Sequence, residues 1–387
     1  MSEWKKVKLK DCCHSISDGD HLPPPKSDSG IPFVTIANID ATNHIDFGNT
    51  MFVPYEYYNN LNDIRKAKFN DILYSVVGSF GKPVLIKENK PFAFQRHIAI
   101  LRPNNGIVDS RFLYYVMLSR DFYMQADTVA IGAAQRTISL TALRNMEVEL
   151  PSMEIQRRIA TILSRYDSLI ENYQKQIKLL EEAAQRLYKE WFVDLHFPGH
   201  ENTNIIDGIP EGWEMKKVGD IAIISAGGDK PDVVTEEQTT ECQVPIYSNG
   251  TTKEGLYGYT NKSSNTAGSI TVSARGSIGF ACLRMHDYFS IVRLISIKPQ
   301  NNVDLMYLFQ FTKVHTFMSN GAAQQQLTVP MVKAIDVVYP AESLLEAFEN
   351  VVLPLYKKVQ SLQSQLRLLT EARDRLLPKL MSGEITV

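Results

Sequence analysis

The sequence has few cysteines, no excess of charge of either sign and no long apolar run. Four cysteines in 387 residues, with no CxxC pair, predict free thiols and a reducing compartment. The 41 basic and 43 acidic residues give a net charge of −2, which argues against a chain that binds nucleic acid chiefly by neutralising phosphates. No apolar stretch reaches the ~18–20 residues of a membrane helix, and the polar first residues show no secretory signal. We therefore expect a cytoplasmic protein.

Catalytic signatures are also absent from the sequence. It contains no GxxxxGK[ST], HExxH, GxSxG or strand-linked GxGxxG segment. Residues 21–26 lack the amide and the aromatic ring of an adenine methyltransferase motif. Asp18, Asp20 and Lys26 lie near one another as a nuclease centre would require, but a polar loop explains them better. The cysteines and histidines of residues 12–21 do not have the spacing of a tetrahedral metal site. We expect no catalytic residue and no metal ligand.

The chain contains two copies of one unit. Residues 132–151, which begin Gly-Ala-Ala-Gln and end in proline, reappear 189 residues later as residues 321–340 with their apolar positions in register. Earlier pieces, such as the Gly-Ser-x-Gly turns at 78–81 and 276–279, match at drifting offsets, which locates insertions in loops. The pattern predicts a globular part followed by a helix, twice over.

Both helical segments show the spacing of a coiled coil. From position 155 to 187, mostly apolar residues recur at alternating intervals of four and three. A helix of about 35–40 residues would be about 50–60 Å long. Gln176 and Gln365 occupy the same predicted position in both copies, where glutamine either sets the register or is tolerated at an edge. The predicted seam residues are Ile162, Tyr166, Leu169, Tyr173, Gln176 and Leu180 in the first helix and Val351, Leu355, Leu362, Gln365 and Leu369 in the second.

The two globular parts, residues 1–150 and 205–339, are predicted to mix strands and helices. Each has apolar, β-rich stretches, such as residues 71–77, between clusters of Gly, Asn and Ser. Helices at 109–124 and 304–318 are expected to pack on each sheet. The predicted fold class is therefore α+β, with β-rich domains and long helices.

Polar loops in both halves offer side chains suited to base edges and phosphates. Arginine pairs with guanine, and glutamine or asparagine with adenine. The plainer interpretation of each residue is a solvated loop side chain. Gln135 and Gln324 stand out for their repeated context, and Arg275 for its Gly/Ser turn. The candidates are Lys26, Ser27, Ser79, Lys82, Arg96, Gln135, Arg136 and Thr137 in the first half and Ser248, Asn249, Lys253, Arg275, Ser277, Gln324, Gln325 and Gln326 in the second.

Three segments carry a family resemblance. They are the Gly-x-x-Gln…Pro run into a long helix, present twice; LYKEWFVDLHFPG at 187–199; and LLPKLMSGEI at 376–385. Together they resemble the specificity subunits of type I restriction-modification systems over the whole chain.

The resemblance implies two target-recognition domains, residues 1–151 and 201–340, each reading one half of a split, asymmetric DNA site. Conserved helices, residues 152–200 and 341–387, would pack antiparallel between them and set the spacing. Two modification subunits would bind this non-catalytic chain and supply the adenine methyltransferase site and S-adenosylmethionine. Restriction subunits using ATP and Mg²⁺ would join later, and this chain would bind no cofactor itself.

Charge adds a condition to this interpretation. Residues 1–150 contain 17 basic and 16 acidic residues, and residues 205–339 contain 11 and 13, so neither globular part is basic. Partner subunits would therefore contact most of the phosphates. Two alternatives stay open: a specificity subunit of a methylation-only or related system, and a coiled-coil scaffold with no nucleic-acid role.

Overall fold

The computed structural model describes residues 4–21, 23–40, 42–133, 135–317 and 326–387. The chain forms two compact units, one of Met1–Tyr173 with Gln365–Val387 and the other of Gln174–Ser364. Each unit therefore takes part of each long helix. The division into segments 1–151, 152–200, 201–340 and 341–387 stays a prediction.

The globular part of the first unit contains three small sheets and short helices. In chain order its elements are β1 (Lys5–Lys8), α1 (Leu9–Cys12), β2 (Cys13–Asp18), β3 (Ile31–Val34), β4 (Met51–Val53), α2 (Tyr55–Asn60), β5 (Ile72–Ser75), β6 (Pro83–Leu85), β7 (Ala93–Phe94), β8 (Ile98–Pro103), α3 (Ser110–Leu118), α4 (Arg120–Val129), α5 (Leu140–Asn145) and β9 (Glu147–Leu150). The main sheet is antiparallel in the order β2-β8-β5-β6. The strands β4-β3-β7 form a second sheet, and β1 pairs with β9.

The central strands of the main sheet are buried on both faces. Side chains alternate along a strand, so that Ile72 and Tyr74 of β5 face the core beneath α3, whereas Leu73 faces a second core with Val34 and Phe92. Two-sided burial explains why these strands are continuous apolar runs in the sequence. It also leaves the turns at the ends of the sheet as the parts that reach solvent.

The second unit repeats this topology strand for strand. The helix α6 (Met153–Tyr188) leads into it and is followed by β10 (Ile205–Ile206), β11 (Ile209–Pro210), β12 (Glu214–Lys217), α7 (Val218–Ile221), β13 (Ala222–Ala226), β14 (Val244–Tyr247), β15 (Leu256–Thr260), β16 (Ser269–Ser273), β17 (Ala281–Arg284), β18 (Phe289–Ser290), β19 (Leu294–Pro299), α8 (Leu305–Val314), α9 (Val329–Lys333), β20 (Asp336–Tyr339) and α10 (Glu342–Met381). Its sheets are β13-β19-β16-β17, β15-β14-β18 and β12-β20, and the hairpin β10-β11 is an addition to the topology of the first unit. The predicted twofold repeat and α+β class are confirmed.

The helices predicted on the sheets differ in extent from the structure. The segment 109–124 is two helices, α3 and α4, because Ser119 between them is extended and its hydroxyl accepts from the Phe122 N–H to start the second. In the second unit, α8 ends at Val314, earlier than the predicted 318.

The long helices α6 and α10 run antiparallel within each unit. In the first unit, Asp167 in the first half of α6 pairs with Arg373 near the end of α10 at 2.9 Å. In the second unit, Tyr188 at the end of α6 packs against Phe348 near the start of α10. No helix in the described ranges has the length and apolarity needed to cross a membrane.

The buried stripe of these helices departs from the predicted seam at three of its eleven positions, where Leu169, Val351 and Gln365 are exposed. Leu169 and Val351 are 42% and 48% exposed, whereas the next residues, Ile170 and Val352, are buried. Gln176 is half-buried and Gln365 is exposed. Both neighbours are apolar at 162–163, 169–170 and 351–352, so the spacing in the sequence fits either phase. Buried positions recur at intervals of seven residues or multiples of seven, at Leu163, Ile170 and Ala184 and at Leu345, Val352, Val359 and Leu380.

Candidate nucleic-acid interface

Turns of the first unit meet at one end of its main sheet. The Val76 N–H donates to the His97 carbonyl at 2.9 Å, and the Ile138 N–H donates to the Val76 carbonyl at 2.8 Å. The turn between β5 and β6 thereby joins the turn between β7 and β8 and the segment before α5. Together, residues 76–82, 95–97 and 135–138 are named the first edge.

The second unit builds the same frame. The Ala274 N–H donates to the Arg293 carbonyl at 3.0 Å, and the Leu327 N–H donates to the Ala274 carbonyl at 2.9 Å. The turn between β14 and β15 joins it, because the Arg275 N–H donates to Asn249 Oδ1 at 3.2 Å. Together, residues 248–255, 274–280, 292–293 and 326–327 are named the second edge.

One glycine in each edge is required by the same close contact. Gly81 and Gly279 both have positive φ, at 92° and 85°. A Cβ atom on Gly81 would lie 2.8 Å from the Tyr123 ring, and one on Gly279 would lie 2.9 Å from the Phe317 ring. An aromatic ring therefore supports the turn in both units, and only glycine fits beneath it.

The structure brings most first-half candidates to the first edge. Ser79, Arg96 and Gln135 are exposed there, and Gln135 lies next to Gly78. Lys82 and Thr137 are half-buried members of the same edge. Lys26 and Ser27 lie elsewhere, on the β4-β3-β7 sheet, where the Ser27 N–H donates to the Phe52 carbonyl at 3.0 Å.

The second-half candidates gather on the second edge. Ser248, Asn249 and Lys253 occupy the turn between β14 and β15, and Arg275 and Ser277 occupy the turn between β16 and β17. Gln326 is exposed beside Leu327. Gln324 and Gln325 lie outside the described residues.

Several of these candidates present an unpaired charge. Within the part of the chain that the structure describes, no carboxylate oxygen lies within 4.0 Å of the charged groups of Lys26, Lys82, Arg96, Lys253 or Arg275. Cations on exposed turns are available to phosphates and to guanine edges. These five side chains are therefore the ones best placed to meet an anionic ligand.

Arg136 is engaged within the protein. Its guanidinium donates to the Asp127 carboxylate and to the Asp127 carbonyl, and it lies over the Phe80 ring at 5.4 Å. Phe80 in turn stacks on Tyr123, with ring centroids 5.8 Å apart. These contacts use the donors of Arg136 within the protein and connect the backbone that carries Gln135 and Thr137 to α4. Direct DNA contact by Arg136 stays a prediction.

The acidic residues near the start of the chain form an ion-pair network. Arg65 lies 3.2 Å from Asp20, and Asp20 also accepts from the Tyr57 hydroxyl at 2.9 Å. His21 lies 2.9 Å from Asp18. Burial and the hydrogen bond to Asp20 raise the pKa of Tyr57, so that it stays a donor. Asp18 and Asp20 thus connect loops of the first unit. Among the described residues, no three His, Cys, Asp or Glu side chains form a group that could hold a metal ion.

The sequence predictions include Arg96 but miss Arg293. Arg293 is exposed on the second edge, in a left-handed conformation with φ 71°, at the position that His97 takes in the first. Arg293 could have been found from the sequence, because the strand ends at 101–103 and 297–299 match. Counting back four residues from Leu101 and Ile297 pairs His97 with Arg293.

The sequence matches the family described as type I restriction modification DNA specificity domain, over residues 1–182 and 210–343. The chain belongs to this family. Among relatives, the type I restriction enzyme MjaIX specificity subunit of Methanocaldococcus jannaschii is 28% identical over 309 residues, 74% of this chain and 71% of that one. The HindI specificity subunit of Haemophilus influenzae is 22% identical and aligns over 100% of both chains.

A solved structure shares the fold of this specificity-family chain. The S subunit of a type I restriction-modification system from M. genitalium superposes with a TM-score of 0.68 at 19% identity, covering 97% of this chain and 96% of that one. In the specificity-family chain described here, the turns 76–82 and 274–280 lie where the offset between the copies drifts, since Ser75 corresponds to Ser273. The edge segments 135–138 and 326–327, like the helices, belong to the part that keeps an offset of 189 residues.

Proposed function

We propose that this chain is the DNA-recognition subunit of a type I restriction-modification complex. Its first domain reads one half of a bipartite, asymmetric site through the first edge, and its second domain reads the other half through the second edge. The two long helices set the spacer and dock two modification subunits.

One observation carries the proposal: both edges share a hydrogen-bonded frame and differ in the side chains on it. The first edge has Arg96 where the second has Val292, and the second has Arg275 where the first has Val77. The serine of the Gly-Ser-x-Gly turn is the same in both edges. An identical frame with different polar groups is suited to reading two different base sequences, because specificity depends on the donors and acceptors offered to base edges.

The near-neutral charge defines what the partners supply. With a net charge of −2, the chain offers few cations for phosphates, so the modification subunits provide most of the backbone contacts. They also provide the adenine methyltransferase site and S-adenosylmethionine, while restriction subunits provide ATP- and Mg²⁺-dependent cleavage. This chain itself catalyses nothing, binds no cofactor and works in the cytoplasm.

Domain exchange tests the proposal. The chain is expressed with its modification subunits in a methylation-free bacterial host, and methylated adenines are mapped by sequencing the host genome. Replacing residues 1–151 by the matching segment of another family member should change one half of the methylated motif and leave the other half and the spacer unchanged. The matched control is the exchange of residues 201–340, which should change only the other half.

Two results would contradict the modular proposal: a motif altered in both halves, or in neither. If the complex has no sequence-dependent affinity for DNA at moderate salt, the coiled-coil scaffold interpretation is favoured instead.

A further inference from the structure

A buried arginine that the mechanism above does not use contacts the second edge from the neighbouring strand. Arg284, at the end of β17, is 1% exposed and is the largest fully buried side chain among the described residues. Its guanidinium lies over the Tyr247 ring, 3.5 Å from the ring centroid, and its Nε donates to Thr271 Oγ1 at 3.0 Å. A buried cation needs a partner of opposite charge, because isolated burial is very costly.

That partner is Glu254, in the turn between β14 and β15. Arg284 Nη2 donates to the Glu254 carbonyl at 2.6 Å, and Nη1 donates to its carboxylate at 3.3 Å. The same carboxylate accepts from Gln363 Nε2 of α10 at 3.2 Å. The turn is thus connected to the sheet on one side and to the long helix of its own unit on the other.

The turn has an unusual backbone. Lys253 and Glu254 are both left-handed, with φ of 48° and 55°. Residues other than glycine rarely adopt this conformation, and two in succession persist only where the surroundings hold them. The arginine supplies that restraint, since it binds both the carbonyl and the carboxylate of Glu254.

The fold itself does not require an arginine at this place. Ser75 and Ser273 are equivalent, since their N–H groups donate across equivalent turns to Lys82 and Phe280. The residue of the first unit that corresponds to Arg284 is therefore Ile86, which is buried in an apolar core. The same four-stranded sheet forms with either residue.

We infer that Arg284 is a positioning residue for DNA recognition. Through Glu254 it holds the turn Thr252–Gly255 in the conformation that presents Lys253, beside Asn249 and Arg275, to the half-site read by the second domain. The inference rests on the proposed function. It assigns the specificity of one half-site to a pair of residues that need not touch DNA.

The test uses the complex of full-length chain and modification subunits, with the methylated motif of the host genome as readout. Glu254→Gln keeps the shape of a half-exposed side chain and the backbone contact to Arg284, and removes only the carboxylate charge. Arg284→Lys keeps the positive charge but loses the pair of guanidinium hydrogen bonds to the carbonyl and the carboxylate of Glu254. Glu241→Gln, at an exposed position in a loop of the same domain, is the matched control. Thermal melting of each purified complex is measured in parallel.

We expect Glu254→Gln to lower methylation of the wild-type motif by about tenfold, the effect of one lost base contact, and to make the second half-site tolerate substitutions. The first half-site should stay as in the wild type, although the melting temperature should fall, because Arg284 loses the carboxylate that pairs with its buried charge. Arg284→Lys should relax the same half-site, and Glu241→Gln should change nothing.

An unchanged motif and rate in Glu254→Gln would overturn the inference. So would a parallel loss at both half-sites with a lower melting temperature, because that result indicates a purely structural role. A wild-type complex without any two-part motif would overturn the proposed function, and the positioning role with it.

Discussion

The two domains share a topology but restrain the same hairpin loop by different chemistry. In the first domain, residues 35–50 join β3 to β4, and His44 of this loop lies 2.9 Å from Glu171 of α6. In the second, the shorter loop 248–255 joins β14 to β15 and is held by Arg284 and by Gln363 of α10.

In both domains the outer contact comes from a long helix of the same unit. The constant part of the repeat thus supports the variable part. The difference is that the first loop is held by a partly exposed ion pair between His44 and Glu171, whereas the second is held by a buried arginine.

The largest effect should come from placing the second domain's arginine in the first. Ile86→Arg buries a cation beside Val34 and Leu73, where the neighbouring buried acid, Asp71, is already paired with Arg102, and should destabilise the first unit by about 3–5 kcal/mol. Urea unfolding followed by circular dichroism measures this. Arg284→Met should cost less, about 1–3 kcal/mol, because it leaves no buried charge unpaired. If Ile86→Arg were as stable as the control Ile86→Val, the two sites would be equivalent after all.

A smaller effect on stability should follow from exchanging the residues that have left-handed backbone conformations in the two loops. The first loop uses Asn43, with φ 61°, where the second uses Lys253. Lys253→Asn should change the free energy of unfolding by less than about 1 kcal/mol, because asparagine tolerates this conformation, but should weaken binding of a duplex bearing the methylated motif about tenfold. The slope of the logarithm of DNA affinity against the logarithm of salt concentration should become less steep by the amount that about one phosphate contact contributes.

The reciprocal change, Asn43→Lys, should cost about 1 kcal/mol of stability. Fluorescence anisotropy at several salt concentrations measures the affinity. An unchanged salt slope in Lys253→Asn would indicate that Lys253 does not face DNA.

The smallest expected effect is a change of melting temperature with pH, and we expect it only from the loop of the first domain. The hydrogen bond to Glu171 raises the pKa of His44, and this bond together with Lys87 lowers the pKa of Glu171 to about 2. Asp40 is the other acid beside His44. The stabilisation from His44 is complete below its ordinary pKa of 6.5 and is lost as the pH rises through the raised pKa. The stabilisation from Glu171 is complete above its ordinary pKa of 4.5 and is lost as the pH falls towards 2.

The contact is therefore strongest between these two ordinary values. His44→Gln should remove a fall in melting temperature of about 1–3 °C between about pH 6 and pH 9, an amount kept small by solvent screening of this exposed pair. His14→Gln, at an exposed histidine of the same unit, is the control. An equal effect of both variants would show that the pair with Glu171 is not responsible.

The repeat could be predicted from the sequence because residues of the two copies match, and the structure confirms it for every strand of the first unit. The helical seam could be predicted only to within one residue. Ile162 and Leu163 are both apolar, as are Val351 and Val352, so the spacing alone does not choose between them. The choice follows from which side of each helix packs against its own unit, and it leaves Gln176 and Gln365 beside the buried stripe.

The roles of individual arginines could not be predicted at all. Arg136 and Arg275 look alike in sequence, since each stands in a repeated polar turn. The structure pairs the first with Asp127 and leaves the second without a carboxylate nearby within the described residues. Arg284 lies in an apolar strand and is not among the residues predicted from the sequence. Such roles depend on which acid the fold brings within reach, and Glu254 comes from 30 residues away.

The sequence by itself determined the twofold repeat and the α+β class, because periodicity and matched motifs are local properties of a chain. Only the tertiary structure decided the phase of the helical seam, the gathering of separate turns into two edges, and the division of arginines into supports and exposed cations. Those depend on contacts between residues distant in sequence, whose partners no local pattern specifies.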